Sequence, residues 1–159
     1  MSDDQLTTGV EAERAVLHEI GEQLYGLLPS GFDRIVMPTS MARGVMAGET
    51  SLFAADGSQE SAAPARRTFE AARRLRRLMN EPGAGTWFTA VSTATAAGKL
   101  SARYDYDDEP ELGHFGADEH RADFEDFPRT AENTPEWLAA ILAGAPTRHD
   151  LVGRDEGPV

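Results

Sequence analysis

The chain has 159 residues, 40% of them apolar, enough for one domain with its own core, and a formal net charge of −12. Such a balance repels nucleic-acid phosphates and anionic membranes at the encounter stage, so a basic partner is its natural complement. With no cysteine there is no disulfide framework, thiol nucleophile or thiolate metal site, which fits a reducing compartment. The N-terminal MSDDQLTTG is acidic and polar, unlike a signal peptide, and no apolar run approaches the ~20 residues of a membrane span. The expected location is the cytoplasm.

Taken in chain order, the pattern predicts an α+β fold in which an antiparallel sheet is packed by helices. Val16, Leu17, Ile20, Leu24, Leu27 and Leu28 recur at helical spacing, and Thr8 with Glu11 resembles a capping box, so a first helix is expected over Val10 to Leu28. Pro29-Ser30-Gly31 stops it. Arg34 to Met37 and Thr50 to Ala55 read as strands, with Met41 to Ala47 a further strand despite Pro38, Gly44 and Gly48. Asp56-Gly57-Ser58 is a turn, and Gln59 to Pro64 reads as a polar loop.

A central basic helix is expected over Ala65 to Met79, with Phe69, Ala72, Leu75, Leu78 and Met79 on its inner face. Its six arginines, Arg66, Arg67, Arg73, Arg74, Arg76 and Arg77, read as a solvated face or as partners of carboxylates rather than as a nucleic-acid surface. Trp87 to Thr95 and Leu100 to Tyr106 then form a hairpin. Period-two alternation puts Leu100, Ala102, Tyr104 and Tyr106 on the core face and Ser101, Arg103 and Asp105 on the wet one. In the acid- and glycine-rich stretch from Glu109 to Arg129, Leu112, Phe115, Phe124 and Phe127 read as anchors over the fold.

Thr134 is placed to cap a C-terminal helix with Pro135 at its first position, Trp137, Leu138, Ile141 and Leu142 inward and Gly144 at its end. One domain therefore covers residues 1–144, and residues 145–159, poor in apolar side chains, are expected to be disordered.

The charge is uneven. Leu100 to Val159 holds 15 acidic and 5 basic residues, whereas Met1 to Lys99 holds 12 and 10, so nearly all the excess lies in the second part. No P-loop, dinucleotide-binding glycine pattern, nucleophile elbow or zinc-protease motif is present. The nearest set to a metal or hydrolytic site is Asp105, Asp107, Asp108 and Glu109 with His114, Asp118, Glu119 and His120, without the spacing and turn glycine of an EF-hand loop. The residues alone leave open a binding surface, a secretion-chaperone-like module and a metal-dependent enzyme.

Three runs, NEPGAGTWFTA, GKLSARYDYDDEPE and DFPRTAENTPEWL, carry a resemblance. Glu81, Pro82, Gly83, Trp87, Gly98, Lys99, Tyr104 to Asp107, Glu109, Pro110, Phe127, Pro128 and Pro135 to Trp137 are similar to the pattern of the YezG-like family of bacterial antitoxin and immunity proteins. The resemblance extends from the first helix to Leu142, with its specific motifs from about Leu75 onward. It implies an immunity protein that neutralises a secreted or contact-delivered toxin of a polymorphic toxin system, often a nuclease. The missing nucleophile and cofactor motifs add the expectation of no enzymatic activity and no cofactor. A nuclease needs a positive surface to hold its substrate, and an acidic inhibitor can occupy that surface. The expected contact set is Asp105, Asp107, Asp108, Glu109 and Glu111, aided by Glu119 or Asp123, with Tyr106 as the buried anchor.

Overall fold

The computed structural model describes residues 3–43, 45–63 and 66–155. Its elements are α1 (Asp3–Leu27), β1 (Phe32–Ala42), β2 (Val45–Gly48), β3 (Thr50–Ala54), β4 (Gln59–Ala62), α2 (Arg66–Leu78), β5 (Thr89–Thr95), β6 (Leu100–Asp105), α3 (Ala117–Asp126), a short 3-10 turn (Ala131–Asn133), α4 (Glu136–Leu142) and α5 (Arg148–Asp155). The strands make one antiparallel sheet in the order β4-β3-β1-β5-β6, with β2 paired to the far half of β1. The fold is α+β, with an N-terminal helix, a central basic helix, a hairpin and helices at the C-terminal end. No helix of the described residues is long and apolar enough to cross a membrane.

Alternation along β1 turns Ile35, Met37, Thr39 and Met41 to one face, where α1 contributes Val16, Ile20 and Leu24 and α2 contributes Ala71, Ala72 and Leu75. Trp87, fully buried just before β5, joins this core. Gly21 lets α1 approach the hairpin closely, since a Cβ there would sit 3.0 Å from Leu100 Cδ2. A second buried group, Phe88, Phe115, Leu138 and Ile141, belongs to the α3–α4 end, where Trp137 meets Phe88 edge to face at 5.0 Å.

Pro38 does not interrupt its strand: β1 runs through it as the central strand of the sheet. In an antiparallel strand the N–H and C=O of one residue point the same way, and Pro38 O accepts from Glu49 N at 3.3 Å, so the missing donor faces the junction where β2 gives way to β3. The same junction needs Gly48, whose added Cβ would meet the Phe69 ring at 2.8 Å and Pro38 O at 2.9 Å.

Several expectations are corrected. Helix α1 already runs through Thr8, so Thr8 does not start it. Gln59–Ala62 is an edge strand; its polar side chains are exposed and its place rests on backbone pairing with β3, which leaves no apolar alternation to read. On α2 the inner face includes Thr68 and Arg76, while Leu78 is exposed. Pro135 is the residue before α4 rather than its first helical position, and Thr134 Oγ1 donates to Thr130 O at 2.8 Å instead of capping.

Two helices were not expected. In α3 the buried positions are His120 and Asp123, polar residues that give no hydrophobic periodicity. The tail read as disordered carries α5, preceded by buried Thr147; Thr147 N donates to Asp150 Oδ2 (2.9 Å) and Asp150 N to Thr147 Oγ1 (3.2 Å), a reciprocal cap that offsets the lack of apolar residues. Residues 156–159 lie outside the described part.

Candidate functional site: the acidic outlet of the hairpin

The hairpin places the site. Six register pairs hold β6 against β5, from Thr89↔Asp105 to Ala94↔Leu100, with Gly98 at φ 85° in the turn. This alternation sets Tyr104 on the core side and Asp105 on the other, as the sequence reading has it. At Asp105 the strand ends in a side-chain turn: Oδ1 accepts the backbone N–H of Asp107 (2.9 Å) and of Asp108 (3.0 Å). Desolvation pushes the Asp105 carboxyl up, but the hydrogen bonds from Asp108 and Asp107 outweigh it, and its pKa lies below the ordinary range. The hydrogen bond to Asp105 and that residue's charge push the exposed Asp108 carboxyl upward.

Past this turn the carboxylates divide. Asp105, Asp108, Glu109 and Glu111 line a groove of about 660 Å³ floored by Pro38, Ser40 and Thr89. Tyr106 and Asp107 instead face a separate hollow with Arg129. The tail helix closes one side of the acidic groove: Arg148 N donates to Glu109 Oε2 at 2.6 Å, and its guanidinium lies 3.4 Å from Glu111 Oε1. His114 Nδ1 and His149 Nδ1, 3.0 Å apart, add a further link from α5 to this loop. Asp107 and Asp108 remain exposed, without an ion pair among the described residues.

The outlet is propped from behind by Arg129. Its guanidinium donates to the carbonyls of Tyr106 (2.9 Å), Asn133 (3.1 Å) and Thr86 (2.8 Å) and lies 4.6 Å above the centroid of the Phe88 ring. Gly85 at φ 75° leaves it room, because a Cβ there would sit 2.6 Å from Arg129 Nε. Trp137 Nε1 donates to Asp107 O at 2.6 Å, tying α4 to the same turn.

Two members of the expected contact set do other work. Asp123 is buried, and its carboxylate forms a two-pronged pair with Arg76 at 2.5 and 2.8 Å. Arg76 also donates Nε to Trp87 O at 2.7 Å and lies over the Phe127 ring, so Asp123 is a core partner rather than a displayed charge. Glu119 turns back to accept the Gly116 N–H at 3.0 Å at the start of α3. Tyr106 is half-buried against the main core, and burial raises the pKa of its hydroxyl.

Of the acid and histidine set, Asp105, Asp108 and Glu109 line the groove, whereas Asp107 faces the Arg129 hollow and His120 lies in the interior. His120 is buried between Phe115 and Trp137, and neither ring nitrogen has a hydrogen-bond partner among the described residues. Desolvation holds its pKa below the usual histidine value, against the charges of Glu109, Asp123 and Glu119. No three histidine or carboxylate groups of the described residues are placed to hold a metal ion. Compared with known proteins, the chain matches no family model and no curated sequence.

The sequence reading allowed Arg76 a carboxylate partner and named His120 in the acid and histidine set, but it did not foresee that both are buried, and it gave Arg129 no role. Only Arg76 left a signal: it stands four residues after buried Ala72 on an otherwise amphipathic helix.

Proposed function

We propose that this protein is an immunity protein, an antitoxin of the YezG-like kind that binds and neutralises a cognate toxin by presenting carboxylates where the toxin holds phosphate. A nuclease is the class of toxin that its charge best complements. It acts by binding, without turnover or a cofactor, in the cytoplasm of the producing cell, and its direct partner is a protein with a basic surface rather than nucleic acid.

The observation that carries this reading is the acidic groove at the end of β6. Four carboxylates converge on it from one turn, and the hairpin and Arg129 hold that turn from behind. The Asp105 turn and Arg129 fix the backbone from which these carboxylates project, so the loop need not be ordered on docking. Asp107 and Asp108 supply exposed charge for the encounter, while Glu109 and Glu111 stand at the groove beside Arg148.

The test is to read the genes beside this one and, where one encodes a toxin domain, to coexpress it with this protein. Restored growth, together with a purified complex in which the toxin's activity is blocked, is the expected result. A neighbourhood of metabolic genes and no complex would refute the reading. A complex whose toxin stayed active would make the protein a secretion-chaperone-like module instead.

A further inference from the structure

Independent of that reading, a second cavity carries the opposite charge. It lies between α2, the β1–β2 hairpin and the end of α3, with a volume of about 560 Å³. Four arginines, Arg43, Arg73, Arg76 and Arg77, and two carboxylates, Asp123 and Asp126, line it, leaving two positive charges in a chain whose net charge is −12. The two aspartates are already engaged, Asp123 by buried Arg76 and Asp126 by Arg43 at 3.4 Å.

Arg73 and Arg77 are different. Both are exposed and stand one helical turn apart on α2, where like charges repel, and neither has an ion pair or side-chain hydrogen bond among the described residues. Arg74, between them in sequence, is held by Glu19 across the α1–α2 contact at 2.7 Å. The apolar part of the same lining is made of buried Met41 and Ala42 and the part-exposed Met46 and Phe127. A pair of forked donors beside a thioether and aromatic lining matches a doubly charged phosphate joined to a flat ring. The volume falls within the roughly 300–1,000 Å³ of small-molecule sites.

We propose that this cavity binds a small aromatic phosphate of the nucleoside-phosphate class, with Arg73 and Arg77 on the phosphate and the ring over Met41, Met46 and Phe127. The phosphate supplies the charge that α2 lacks. The ring covers the part-exposed Met46 and Phe127, with buried Met41 beneath them.

The experiment is calorimetric titration of the whole chain, in phosphate-free buffer at low salt, with phenyl phosphate, adenosine monophosphate, inorganic phosphate and benzyl alcohol. The two aromatic phosphates should each bind once, about tenfold or more tighter than inorganic phosphate, with no heat from benzyl alcohol. Arg73→Gln with Arg77→Gln, at exposed positions that leave the melting temperature unchanged, should weaken that binding about tenfold or more. Equal affinity for inorganic and aromatic phosphates, no saturation at roughly millimolar ligand, or full binding by the double variant would each overturn the proposal.

Discussion

The arginine helix and the acidic outlet are both dense runs of one charge, yet the fold treats them differently. On α2 successive side chains turn by about 100°, so six arginines cannot all face water. One of them, Arg76, lands among Ala72, Leu75 and Trp87 and is buried with Asp123. The acidic run leaves β6 into a turn and a loop that pack only in part, and Asp107, Asp108 and Glu111 stay exposed. A charge run on a helix that closes a core yields a structural ion pair. A charge run at a strand's exit yields a surface.

The largest effect that can break this contrast is expected at Arg76. Arg76→Ala leaves Asp123 buried without its partner and should cost about 3–5 kcal/mol in chemical denaturation. Replacing both, as Arg76→Met with Asp123→Leu, should recover most of the loss. If Arg76→Ala unfolded at the same denaturant concentration as the wild type, the buried pair would have no structural role.

Each region also has its tryptophan. Trp87 lies wholly in the main core beside Arg76, so Trp87→Ala should cost about 3–5 kcal/mol. Trp137, half-buried, holds the Asp107 carbonyl, and Trp137→Ala should cost less than that, about 2 kcal/mol. Equal losses would mean that the α3–α4 end and the main core are one packing unit.

Within the acidic outlet the effects are smaller. Asp105→Ala removes the acceptor for two backbone N–H groups and should cost about 1 kcal/mol, whereas Asp107→Asn and Asp108→Asn should leave the melting temperature unchanged. A destabilised Asp107→Asn protein would show that its charge serves the fold.

His120 contributes a pH dependence near neutrality. Its folded pKa is depressed, chiefly by burial, so its contribution to stability is present above the ordinary value of about 6.5 and is lost as pH falls through the folded pKa. His120→Leu should flatten the fall of the denaturation midpoint as pH drops below about 6.5. An unchanged slope would put the pH sensitivity elsewhere.

The hairpin, the core face of β6, α2 and the end of α4 at Gly144 were legible because each rests on periodicity or turn chemistry. Helix α3 was not, because its two buried positions carry His120 and Asp123, whose burial depends on Arg76 and Trp137 from distant parts of the chain. The Thr147–Asp150 cap was present as a short motif but lacked the apolar run that normally follows it. For the site, the sequence read Asp105 to Glu111 as one patch, whereas the structure turns Tyr106 and Asp107 to the Arg129 hollow and the other carboxylates to the groove. The sequence could not separate Asp123 from them, since a buried and a displayed carboxylate look alike until their partners are known.

The most direct measurement takes the toxin that the proposed function calls for and follows its rate of association with the Asp107→Asn, Asp108→Asn, Glu111→Gln variant, at low and at physiological salt, beside a melting curve. These charges stand at the rim, so association should slow and its salt dependence flatten, while melting and the dissociation rate change little. Association rates equal to the wild type at both salts, with the toxin still neutralised, would contradict the account and leave the acidic outlet as a solubilising surface.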